Sequence, residues 1–138
     1  MDIDARGPRF AAAVTTVVLA AALITTSPWI LAWQTLAFAV GAAAGVSRSP
    51  YGWLFRKAVR PRLAPATEFE PPEPPRFAQA VGLVFAGLGL VGFGVGPAWL
   101  GLAATGLALA AAFLNAAFGY CLGCEVFLLV RRPAAGAK

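Results

Sequence analysis

The chain has 138 residues, of which 59% are hydrophobic and only 12% charged, with a formal net charge of +5. So apolar a composition excludes an ordinary soluble domain of this length and points to the membrane class. The positive charge does not argue for nucleic acid, because the basic residues leave four apolar segments uninterrupted and collect in loops and ends, as membrane topology requires.

Histidine is absent. That removes imidazole-ligated haem, histidine-bound zinc or copper, and every Ser/His or Cys/His nucleophile pair.

The first apolar segment runs from Phe10 to about Thr26, just long enough to cross about 30 Å of hydrocarbon. No small-residue cleavage site follows it, so a retained helix is expected, not a signal peptide. Ser27-Pro28 breaks the helix, since proline lacks an amide hydrogen and pushes the residue before it toward extended geometry. Trp29 to Val46 is the second span, with Trp29 and Trp33 as indole anchors near the turn.

From Ser47 to Leu63, Arg48, Arg56, Lys57, Arg60 and Arg62 alternate with Tyr51, Trp53, Leu54, Phe55 and Val59. Tyr51, Leu54, Phe55 and Ala58 share one helical face, which predicts an interfacial amphipathic helix. Its membrane-surface residues are then Tyr51, Trp53, Arg56, Lys57, Arg60 and Arg62, with the lipid bilayer as partner and anionic lipid facing the basic side.

Residues 1–63 thus form a first transmembrane hairpin plus a basic surface segment. Residues 64–75, with five prolines and three glutamates, read as an extended, solvated linker. Residues 76–138 form a second hairpin. Its first helix, Arg76 to about Val95, is glycine-rich, and Gly92 and Gly96 repeat the G-x-x-x-G spacing of Gly41 and Gly45, which favours close helix packing. Gly96-Pro97 makes a turn, with Trp99 as its anchor.

The last apolar run, Ala98 to Val130, would be close to ~50 Å long as one helix, more than a bilayer core. It either tilts strongly or leaves the membrane near Phe118-Gly119. An internal repeat bears on this: Pro8-Arg9-Phe10-Ala11 and Pro75-Arg76-Phe77-Ala78 each open a hairpin, so the chain reads as two duplicated units, all-α, a four-helix membrane bundle. Matching the units aligns Ser47-Arg48-Ser49-Pro50 with Cys121-Leu122-Gly123-Cys124 and puts the cysteines where the fourth helix exits. Arginine and lysine at both ends and in the central loop, with none in the two outer turns, predict cytoplasmic termini in a cell membrane.

Cys121 and Cys124 are the only cysteines, spaced C-x-x-C, and Glu125 follows them. Residues i and i+3 of a helix share a face, which suits a disulfide or reversible thiol exchange. If a helix restarts near Cys121, its amide groups favour the Cys121 thiolate, whereas Glu125 either raises the thiol pKa values or accepts a proton. Cys121, Cys124 and Glu125 are therefore the candidate catalytic residues. Packing is the alternative for the thiols, and a structural zinc site would need ligands from a second chain. No residue is diagnostic of a cofactor, quinone included.

The segments Arg6-Gly7-Pro8-Arg9-Phe10, Arg48-Ser49-Pro50-Tyr51-Gly52, Val59-Arg60-Pro61-Arg62-Leu63, Pro75-Arg76-Phe77-Ala78-Gln79-Ala80-Val81-Gly82 and Leu114 to Glu125 resemble a family of small bacterial four-helix membrane proteins catalogued as a domain of unknown function. The resemblance covers nearly the whole chain and implies a thioredoxin-like or rhodanese-like sulfur-transfer partner. Three functional classes stay open: a membrane thiol-redox or sulfur-relay component; a non-enzymatic scaffold or accessory subunit; and a carrier for a small solute or sulfur species. The last would need a polar path from Thr15, Thr16, Gln34, Thr35, Gln79, Thr105 and Asn115, or a homo-oligomer that builds one between chains.

Overall fold

The computed structural model describes residues 3–4, 6–65, 69–70 and 73–134. Helix α1 spans Arg6–Thr25 and α2 Pro28–Ala44. Between them Ser27 caps α2, its hydroxyl accepting from the Ile30 amide at 3.3 Å, and Pro28 opens the helix where no amide donor is needed. A run of short helical turns follows: a 3-10 turn at Val46–Arg48, helix α3 at Pro50–Leu54, a π turn at Phe55–Val59 and a 3-10 turn at Arg60–Arg62.

Helix α4 spans Glu73–Gly94, α5 Ala98–Phe118 and α6 Leu122–Ala134. Within the expected linker, strand β2 (Phe69–Glu70) pairs antiparallel with β1 (Ile3–Asp4), and α4 already starts at Glu73 because Pro74 and Pro75 fit a first helical turn. Positions 66–68 and 71–72 of the linker, and the terminal Lys138, lie outside the described residues.

Among the described residues three helices, α1, α4 and α5, are long and apolar enough to cross a membrane; α2 is a shorter apolar helix of 17 residues. The chain is accordingly a helical membrane protein. Its outside is what a bilayer demands: Ile24, Val84, Val95 and Leu107 are exposed, while much of the core consists of small residues such as Ala22, Ala86 and Ala108 around Leu19, Leu31 and Phe38. With no hydrophobic force between helices in lipid, association rests on close packing. Gly92 lies against the Gly101 backbone and leaves no room for a Cβ. Gly41 packs under Gln79, so these glycines serve contacts within the chain.

The two halves interlock. Helix α1 packs on α5 and α4 on α2, so the first helix of each half lies against the second helix of the other. Arg9 and Arg76, each the fourth residue of its helix, fasten these pairs. Arg9 donates to Ala116 O at 3.2 Å and Ala117 O at 3.3 Å, and Arg76 to Ala42 O at 2.7 Å and Ala43 O at 2.5 Å. Each guanidinium takes helix-end carbonyls that have no partner within their own helix. These contacts gather the α1 and α4 N-termini, the α3 segment and the α5–α6 junction at one end of the bundle.

The halves differ inside. In the first, Tyr51 rises from α3 against α1 and α2 and is only 7% exposed; its hydroxyl donates to Gln34 Oε1 at 2.6 Å and accepts from Trp33 Nε1 at 2.9 Å. Gln34 in turn donates to Thr15 Oγ1 at 3.4 Å. Burial raises the Tyr51 hydroxyl pKa, the Trp33 hydrogen bond pulling it slightly back. The expectation that Tyr51 faces the membrane surface is therefore corrected. So is the predicted apolar face: Tyr51, Gly52 and Phe55 point inward while Leu54 and Ala58 are exposed, Ala58 lying in the π turn, whose wider winding takes it off the α-helical face. Trp53, Arg56, Lys57, Arg60 and Arg62 are exposed.

Candidate dithiol site

The break expected near Phe118-Gly119 is present. Helix α5 ends at Phe118, and Gly119 adopts a left-handed φ of +70°, which glycine tolerates without steric cost. The Gly119 amide closes on Asn115 O at 2.9 Å, and Arg9 holds the next two carbonyls. The chain is thereby turned within three residues from the axis of α5 into α6.

Cys121 is the residue before α6 and acts as its cap: its Sγ accepts from the Cys124 amide at 3.0 Å, and its carbonyl accepts the Glu125 amide at 3.0 Å, the first helical bond. Cys121 and Cys124 form a disulfide, with their Cα atoms 5.1 Å apart. Both are half-buried, between the exposed side chains of Tyr120, Leu122 and Glu125. A Cβ on Gly123 would stand 2.5 Å from Ala78 Cβ, so this glycine lets the first turn of α6 lie directly on α4. One turn later Phe127 packs on Phe77, ring centroids 5.5 Å apart.

The first half repeats this arrangement with an alcohol in place of the thiol. Ser49 precedes α3, its Oγ accepts from the Gly52 amide at 3.1 Å, and Phe55 then packs on Phe10 at 5.7 Å. Ser49, not Ser47, is thus the counterpart of Cys121, and the register of the repeat is corrected by two residues, because helix capping and ring contacts decide it.

The structure brings the three candidate residues into one helical turn. Cys121 and Glu125 are four apart, on one face, with the carboxylate exposed in the first turn of α6, where the helix dipole favours it. The residue sequence reasoning missed is Arg9, whose guanidinium lies against Gly119: its Cζ and Nη1 stand 3.7 Å from where a Cβ would be. The repeated Pro-Arg-Phe carried that signal. Of the polar residues weighed for a carrier path, Thr16 and Thr35 donate to their own helices at 2.7 Å and Gln34 donates to Thr15, whereas the Thr105 hydroxyl, buried against Gly89, has no hydrogen-bond partner among the described residues.

Fold and site together define a helical membrane protein carrying a cysteine pair at the head of a short terminal helix. The chain belongs to the family described as Domain of unknown function (DUF4395), whose match covers residues 3–132. Neither a curated protein nor a solved structure matches it.

Proposed function

We propose that the protein is a membrane thiol-redox or sulfur-relay component whose working group is the Cys121–Cys124 pair. The observation that carries this reading is the capping contact: Cys121 Sγ accepts the Cys124 amide at the start of α6. In the reduced protein that amide and the helix N-terminus favour a Cys121 thiolate, the attacking form in exchange chemistry.

The thiolate attacks a sulfur of a disulfide in a thioredoxin-like partner, forming a mixed disulfide and releasing one partner thiolate. Cys124, deprotonated toward Glu125 or water, then attacks Cys121 Sγ. The second partner thiolate leaves, and two electrons have passed to the partner while the Cys121–Cys124 disulfide forms. A rhodanese-like partner would instead hand a sulfane sulfur to Cys121, leaving a persulfide that Cys124 resolves with loss of sulfide.

In this reading α2 is a fourth span, about 25 Å long by helix rise. The end that gathers Arg9, Arg76 and the basic residues 56–62 faces the cytoplasm of a cell membrane. That places the dithiol toward a reducing compartment, where disulfides cycle more than they staple.

The test is trapping. A Cys124→Ser variant should accumulate a mixed disulfide with a thioredoxin-like protein, reversed by dithiothreitol and absent in Cys121→Ser. If no adduct forms and the double-Cys variant grows normally under sulfur limitation, the alternative of a scaffold with packing thiols holds instead.

A further inference from the structure

Arg9 does more than close a helix. On α1, Arg9, Thr16, Ala20 and Leu23 fall at i, i+7, i+11 and i+14, a single stripe. Thr16, Ala20 and Leu23 line one wall of a groove of about 460 Å³, open on its outer side, whose other wall on α5 includes Gly106, Ala110 and Phe113. The α5 wall continues one turn past Phe113 to Ala116 and Ala117, the carbonyls that Arg9 holds. The apolar groove between α1 and α5 therefore lies on the same seam as the exposed Arg9 guanidinium, about two helical turns from it.

The length suits one lipid leaflet. From Arg9 to Leu23 is fourteen residues, about 21 Å along a helix, against roughly 20–22 Å for one leaflet with its headgroup layer. The equivalent seam between α2 and α4 is closed. There Gln79 lies over Gly41 and the Phe38 ring over Gly82. Counted from the matching arginines and from the glycines that end α2 and α5, the α1/α5 seam has Ala12 where the other has Gln79, and Ala112 where it has Phe38. By the same count Asn115 and Thr15 stand where that seam has Gly41 and Gly82, so the larger side chain has changed helix at both levels, and the groove lies beyond them, where Thr16, Ala20 and Leu23 face Gly106 and Ala110.

We propose that the α1/α5 groove is a binding site for an anionic phospholipid of the leaflet that holds the α1 N-terminus, one acyl chain along Thr16, Ala20, Ala110 and Phe113 and the phosphate on Arg9. Nη1 of Arg9 accounts for the headgroup: Nε and Nη2 are taken by Ala116 and Ala117, and Nη1, directed to Gly119, has no acceptor among the described residues. A guanidinium fixed through two of its nitrogens presents its remaining donors with little loss of rotamer freedom. The same headgroup would sit at the α5–α6 junction beside the dithiol, though lipid binding does not depend on the thiol chemistry.

The full-length protein is placed in nanodiscs of equimolar phosphatidylglycerol and phosphatidylcholine, released, and its bound lipid counted by native mass spectrometry. Retained phosphatidylglycerol should exceed phosphatidylcholine about tenfold, the ratio given by one charge-assisted contact of about 1.4 kcal/mol. Arg9→Met should abolish the preference. Arg76→Met, which loses the same helix-end contacts in the half without a groove, should keep it. Ala110→Leu, which fills the groove and leaves Arg9 intact, should lower lipid retention several-fold, and it decides the matter if Arg9→Met does not fold.

Equal retention of the two lipids by the wild type would overturn the site, as would equal effects of the two arginine variants or unchanged retention in Ala110→Leu. Displacement of the lipid by inorganic phosphate would reduce it to a plain anion contact and overturn the lipid assignment.

Discussion

Ser49 and Cys121 hold the same place in the two halves of the molecule: each precedes a short surface helix, and each accepts the amide three residues on, Gly52 at 3.1 Å and Cys124 at 3.0 Å. At one position the capping atom is a hydroxyl oxygen, which also donates to Val46 O at 2.7 Å; at the other it is a sulfur of the Cys121–Cys124 disulfide. Oxygen and sulfur can both accept the amide, so the two halves keep the same cap with different chemistry at the capping atom.

Substitution at the two caps should separate these duties. Ser49→Ala should destabilise the protein by about 1 kcal/mol, the usual worth of an N-cap, read as a lower Tm in detergent. Cys121→Ser should leave the reduced protein about as stable as wild type while abolishing thiol exchange, and Cys121→Ala should lose both. Loss of stability in Cys121→Ser equal to that in Cys121→Ala would mean the cap contributes nothing.

The two thiols should differ in reactivity. After reduction, Cys121 is expected to alkylate faster than Cys124 near neutral pH, because its sulfur holds the Cys124 amide at the helix N-terminus. Rates measured on Cys124→Ser and Cys121→Ser across pH 5–10 give the comparison (roughly the range in which thiols titrate). Matching profiles for the two variants would remove the case for Cys121 as the nucleophile.

The glycines should fall into two groups. Gly123→Ala would drive a Cβ to within 2.6 Å of Ala78 Cα, so α6 must lift from α4, at a cost of about 1–3 kcal/mol. Gly87 has nothing within 4 Å of its would-be Cβ, so Gly87→Ala should stabilise α4 by about 0.5–1 kcal/mol. Thermal unfolding followed by circular dichroism distinguishes the two signs.

Tyr51 predicts a pH dependence. Its hydroxyl titrates above the ordinary value of 10.0 in the folded protein because it is buried. The stabilisation is therefore complete below pH 10 and is lost as pH rises through the folded pKa, since the unfolded chain ionises first. Tyr51→Phe should flatten that loss, seen as a Tm that no longer falls between neutral and strongly alkaline pH.

Much of this was legible in the sequence because the signals are local. Apolar runs, Ser27-Pro28 and Gly96-Pro97 marked the helices, and the length of the last run required the break that Gly119 provides. Pro-Arg-Phe marked the two helix starts whose arginines hold helix-end carbonyls, and C-x-x-C marked the cysteine pair. These follow from backbone chemistry and from the thickness of a bilayer, and need no knowledge of neighbours.

The tertiary structure decided what depends on neighbours. A stripe pattern assigned Tyr51 to the lipid surface, but Thr15 and Gln34 on other helices gave its hydroxyl a buried network, and buried partners outweigh periodicity. Matching by residue type aligned Ser47 with Cys121, whereas capping geometry selects Ser49. Arg9 read as a topology charge until the packing of α1 on α5 put it at helix-end carbonyls more than a hundred residues away in sequence. The sequence by itself determined that this is a membrane chain of helical hairpins with one cysteine pair. Only the fold decided which half lies on which, because interlocked packing is a property of surfaces that meet, and no segment carries that alone.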